Sequence, residues 1–170
     1  MNTFDYLVTH KVTCDRANNN DPFKWTSRIL KTNSGICLEF AMMNCLSHIE
    51  NGEPTYLVSI GVENFNKTFS TNHIVCFYRS NFGNWVVENY VDKGIYFNKV
   101  YSGFLEDSIR SHAKEFIPIL IENCVPDKYK NGDLSWIIKV ANENQIISIY
   151  NRYHDRVVSQ NKILKELKFK

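Results

Sequence analysis

Cys37 follows Ser34-Gly35-Ile36 and opens the stretch Cys37 to Asn51, in which Leu38, Met42, Leu46 and Ile49 recur at helical spacing. A cysteine in the first turn of a helix meets unpaired backbone N–H groups and the positive end of the macrodipole. Both stabilise a thiolate, the form in which sulfur is a nucleophile. Gly35 lets the chain turn tightly into the helix and lets a substrate carbonyl approach the backbone, leaving the Cys37 N–H to act as an oxyanion donor. Taken alone, such a cysteine is as often a small buried hydrophobe. His73 changes that weighting. It opens the β-rich run Asn72-His-Ile-Val-Cys-Phe-Tyr-Arg79 on the face of Val75 and Phe77, where it is placed to act as a general base. A group that orients the imidazole is expected from the next strand, Asn84-Trp-Val-Val-Glu-Asn-Tyr-Val91, which offers Asn89 and Glu88. Alternation puts Trp85, Val87 and Asn89 on one face and Val86, Glu88 and Tyr90 on the other. A Cys–His pair with an amide or carboxylate behind it is the recurring arrangement for acyl transfer. His10, His48, His112 and His154 read as surface groups.

The elements that position these residues follow from changes of period. Asn33 or Ser34 is expected to cap the cysteine helix, and Gly52 supplies its left-handed stop. Thr55 to Val62 reads as a strand, and the two strands after it are joined by the turn Ser80-Asn-Phe-Gly83 into an antiparallel hairpin. Leu105, Ile109, Ala113 and Phe116 return to helical spacing over Phe104 to Phe116. Before the cysteine helix the chain is polar and irregular, with a loop over Arg16 to Pro22 and a short helix expected over Phe23 to Leu30. Beyond Pro126 the pattern is ambiguous. Leu134 to Tyr150 fits either a second hairpin turning at Asn142-Glu-Asn144 or a helix.

The chain of 170 residues is long enough for one domain with its own core, and 44% hydrophobic and 14% aromatic residues exclude wholesale disorder. A net charge of +2 gives no general attraction for nucleic acid, and the basic run Lys162 to Lys170 reads as a solvated helix end. No apolar run approaches the roughly 18 residues of a membrane span, and Met1-Asn-Thr-Phe-Asp-Tyr6 lacks the charged and apolar regions of a secretory signal. The five cysteines are odd in number, scattered and without CxxC spacing. They predict reduced thiols in a cytoplasmic protein, with no metal and no cofactor.

Ser34-Gly-Ile-Cys-Leu-Glu-Phe-Ala41, then His73-Ile-Val-Cys-Phe-Tyr78, then Asn84-Trp-Val-Val-Glu-Asn89 resembles the three-part signature of the transglutaminase-like and papain-like cysteine enzymes. In that pattern a Gly-x-Cys opens a helix, a His begins a strand, and an acid follows a Trp on the next. Glu88 to Tyr96 is similar to bacterial members in which a strand-borne acid precedes a Gly-Ile turn. The resemblance covers residues 30–117 and implies an α+β fold, with the cysteine helix packed on an antiparallel sheet in a single domain. It implies a Cys37–His73–Asn89 triad, with Glu88 as the alternative third member, acting on an amide or acyl bond of a protein or peptide through a thioester. The usual Asp of the third position is absent here. An arylamine N-acetyltransferase-like acyl transferase is one alternative, although Lys31-Thr-Asn-Ser34 stands where that pattern has an Arg and a second Gly. A binding or inhibitor module on the same fold is the other.

Overall fold

The computed structural model describes residues 2–14, 29, 32–91 and 94–152. Most of the expected helix over Phe23 to Leu30, the basic run at Lys162 to Lys170, and His154 lie outside them. Helix α1 (Thr3–Thr9) comes first, with the Asn2 side chain accepting from the Asp5 N–H. The two-residue strands β1 (Thr13–Cys14) and β2 (Ser34–Gly35) pair in parallel. The cysteine helix is labelled α2 (Cys37–Glu50). A meander follows: β3 (Thr55–Asn64), β4 (Ser70–Arg79), β5 (Trp85–Val91) and β6 (Ile95–Tyr101). It leads into helices α3 (Leu105–Cys124) and α4 (Asp127–Lys130), then β7 (Leu134–Ala141) and α5 (Glu143–Arg152). The architecture is α+β. Among the described residues, no helix is long and apolar enough to cross a membrane.

The five long strands form one antiparallel sheet in the order β6-β5-β4-β3-β7. Helices cover both faces, which is why β5 is buried at consecutive positions from Val86 to Tyr90 instead of at every second one. On one face Val58, Ile60, Val62, Val75, Phe77 and Val87 pack against Ile109, Ala113, Phe116 and Leu120 of α3. On the other, Leu57 and Cys76 meet Ala41, Met42 and Cys45 of α2 and Ile146 of α5. On the neighbouring stripe of α2, Phe40 and Met43 pack with Phe4 and Leu7 of α1 and with Tyr90.

Several expectations are corrected. Neither Asn33 nor Ser34 caps α2. Ile36 holds the cap position, and its backbone N–H donates to Glu39 Oε1 at 3.0 Å. Glu39 thereby satisfies the N–H of the cap residue, the return half of a capping box, whereas a polar cap side chain would accept from an amide inside the first turn. Gly52 does terminate the helix, at φ +76°. Helix α3 runs past Phe116 and through Pro118 to Cys124. Proline removes one intrahelical hydrogen bond, but burial of Ile117 and Leu120 against the sheet carries the helix through. The ambiguous C-terminal stretch is neither a hairpin nor a single helix. Leu134–Ala141 pairs antiparallel with β3, and Glu143–Arg152 turns back onto α2. The Ile-rich runs fit either state locally; the unpaired edge of β3 decides between them.

Candidate active site

The β4–β5 hairpin turns at Gly83, where φ is +82° and the Gly83 N–H donates to Ser80 O at 2.9 Å. From there the two strands pair from Arg79–Trp85 to Cys76–Glu88 and then part. Asn89, Tyr90 and Val91 stay in register with β6 alone. At this opening a cleft of about 590 Å³ is lined by Thr71, Asn72 and His73 of β4 and by Tyr90 and Val91 of β5. Ile36 and Cys37 at the head of α2, Cys14 of β1 and the last turns of α3 complete it. Cys37 and His73 therefore border one cavity, of a size that holds a small ligand or a peptide side chain. They reach it from opposite sides of the sheet, since α2 covers the face of Cys76 and His73 shares the α3 face with Val75 and Phe77.

Gly35 acts differently from the expectation. Its φ is not positive, and it is buried, with the Phe40 ring 2.8 Å and Ile29 3.1 Å from where a β-carbon would stand. Phe40 is thereby allowed to close over the strand that delivers Cys37.

His73 is 6% exposed. Its Nε2 donates to Asn89 Oδ1 at 2.7 Å, which leaves Nδ1 as the basic nitrogen of the neutral ring. Asn89 is fully buried, and its Nδ2 donates to His112 Nε2 at 3.0 Å. His112 Nδ1 donates in turn to the Tyr101 hydroxyl at 3.2 Å, and that hydroxyl donates to Glu115 Oε2 at 3.1 Å. Every donor in this chain points away from His73 Nδ1, so the direction of the Asn89 amide is set from behind. Burial drives the His112 pKa down to about 4, with His73 and Lys99 lowering it further against the pull of Glu115. His112 is thus neutral near pH 7, as an acceptor of the Asn89 N–H must be. The Lys99 ammonium, 3.0 Å from Glu115, holds that carboxyl below the usual range. The Phe116 ring lies 5.2 Å from His73 and 5.8 Å from His112 and walls both from water.

Glu88 lies on the other face. Its Oε1 accepts from His48 Nε2 at 2.5 Å, and His48 Nδ1 lies 3.1 Å from Glu53 Oε1. Of the two candidates for the third position, Asn89 contacts His73 and Glu88 contacts His48. The reading of His48 and His112 as surface groups is corrected: they are 5% and 0% exposed, while His10 is exposed. A helical signal was available for His112. It shares spacing with Ile109, Ala113 and Phe116 on the apolar stripe of α3. Tyr101 carried no comparable mark. Cys14 and Cys124 also border the cleft, a convergence that their distance along the chain conceals.

No protein-family model matches the chain, and no curated protein sequence does.

Proposed function

We propose that the protein is a cysteine-nucleophile enzyme acting on amide or acyl bonds of a protein or peptide, on a transglutaminase-like or papain-like core. The observation that carries this reading is that Cys37 and His73 border one cleft while Asn89 holds His73 from behind at 2.7 Å. In this reading His73 Nδ1 takes the Cys37 proton, and the thiolate attacks the substrate carbonyl. The negative oxygen of the tetrahedral adduct is stabilised at the N-terminus of α2, where the first amides have no partner within the helix. His73 then protonates the leaving amine as the thioester forms. Water or an amine resolves the thioester, and the proton it gives up returns to His73. Asn89 fixes the tautomer and ring angle throughout.

Iodoacetamide at near-neutral pH tests the assignment, with each cysteine followed by mass spectrometry. Cys37 labels well ahead of Cys14, which lies in a two-residue strand, and of Cys124, which sits at the C-terminal, negative end of α3, and ahead of buried Cys45 and Cys76. In folded His73→Ala the Cys37 rate falls on the order of ten-fold or more. Equal labelling of Cys37 and Cys124, or an unchanged Cys37 rate without His73, removes the nucleophile–base pair. A binding groove would then be the better reading, favoured by the approach of Cys37 and His73 from opposite faces of the sheet.

A further inference from the structure

On the α2 face, away from the cleft, His48, Cys76 and Glu88 bring one donor atom each to within 4.8 Å of one another, all three buried. Cys76 and Glu88 are direct cross-strand partners of β4 and β5, so their side chains stand side by side. His48 descends on them from α2. Cys45, one helical turn before it, donates its thiol to the Tyr56 carbonyl at 3.7 Å. We propose that this cluster is a zinc site, with His48 Nε2, Cys76 Sγ and Glu88 as its protein ligands and water in the fourth position.

Three observations lead there. The first is the other edge of the imidazole. His48 Nδ1 is held by the Glu53 carboxylate at 3.1 Å, and the Tyr78 ring stacks on the imidazole at 3.6 Å and 12°. A carboxylate behind the distal nitrogen is the support that metal-bound histidines regularly have, because it fixes the tautomer and aims the other nitrogen. The second is Glu88 Oε2, which is buried with no hydrogen-bond partner in a residue 1% exposed. An unsatisfied carboxylate oxygen there is costly, and a cation among these donors removes the cost. The third is donor type. A thiolate, a carboxylate and a neutral imidazole carry two negative charges against the two positive charges of zinc, and sulfur donors select against magnesium and calcium. Ligand atoms around tetrahedral zinc lie roughly 3–4 Å apart, so filling the site parts His48 from Glu88 by about 1 Å. Binding releases the proton of the Cys76 thiol and the one shared between His48 and Glu88. The sequence carries no metal-ligand spacing because the donors come from three elements.

The test uses the full chain, expressed without a histidine tag in zinc-supplemented medium and purified under reducing conditions. Elemental analysis after dialysis gives about one zinc per chain in wild type and below about a tenth in Cys76→Ser and His48→Gln, with Cys37→Ala unchanged. Wild type refolded with cobalt(II) shows tetrahedral d–d bands and a thiolate-to-cobalt charge-transfer band, a readout that does not depend on any variant folding. Folded wild type with less than about a tenth of an equivalent of zinc and no such cobalt bands overturns the site. Zinc that persists in Cys76→Ser but is lost in Cys37→Ala also overturns it, and places the metal in the cleft.

Discussion

Asn89 works in two directions at once, and that decides how its variants behave. It accepts from His73 and donates to His112, so Asn89→Ala strands two buried ring nitrogens. We expect about ten-fold or more slower Cys37 alkylation, together with about 1–3 kcal/mol of lost stability for each polar atom left unpartnered. Asn89→Asp separates the two roles. A carboxylate still accepts from His73, but it has no N–H for His112, which must bring a proton of its own. Asn89→Asp is therefore expected to keep most of the alkylation rate while raising the His112 pKa from about 4, as followed by NMR titration of its imidazole. Glu88→Gln leaves alkylation near wild type, because its carboxylate faces His48. A large loss of Cys37 reactivity in Glu88→Gln, with Asn89→Ala unaffected, would exchange the two roles.

At the scale of elements, the site exists because β4 and β5 stop pairing at Cys76–Glu88. The opened strands let the head of α2 on one face and the His73 side chain on the other border the same space. Gly35 governs how closely α2 seats on its side. A β-carbon there meets the Phe40 ring at 2.8 Å, and Phe40 is itself buried among Phe4, Leu7 and Tyr90. Gly35→Ala therefore forces overpacking. We expect a loss of about 1–3 kcal/mol in chemical denaturation and slower Cys37 alkylation as the helix start shifts. An unchanged midpoint and rate would mean that Phe40 yields freely and that Gly35 serves the local backbone instead.

For the whole molecule, the buried histidines make stability depend on pH. His112 has a folded pKa of about 4 against 6.5 unfolded, so on acidification the unfolded chain takes up the proton first. The stability that neutral His112 confers is intact above about pH 6.5 and is lost between there and about pH 4, by roughly 3 kcal/mol. Glu88 acts against this slope. Burial raises its pKa, only partly countered by His48, so the folded state holds its proton longer than the unfolded chain. For His48, burial lowers the pKa but Glu88 and Glu53 more than offset it, and the stability it confers is lost as pH rises through its raised folded value. The informative quantity is therefore a difference. Chemical denaturation from pH 7 to 4 is expected to show a shallower decline in His112→Gln than in wild type, and parallel curves would exclude His112 as the cause.

Local periodicity in the sequence is enough to place some features of this protein. The helix that begins at Cys37 and stops at Gly52, the hairpin through Ser80–Gly83, and the alternation that sends Asn89 and Glu88 to opposite faces all follow from residues a few positions apart. Their geometry is fixed by the backbone repeat, whatever they pack against. The tertiary structure alone decided the partners. His48 and His112 carry polar rings that suit a surface as well as a core. They are inside because Glu88 meets His48 across 40 residues of chain and Asn89 meets His112 across 23, with Glu53 and Tyr101 adding nearer partners. The strand at Leu134–Ala141 was likewise settled by the open edge of β3. A buried polar group is tolerated only where its partner is present, and that partner comes from a distant element that no local pattern records.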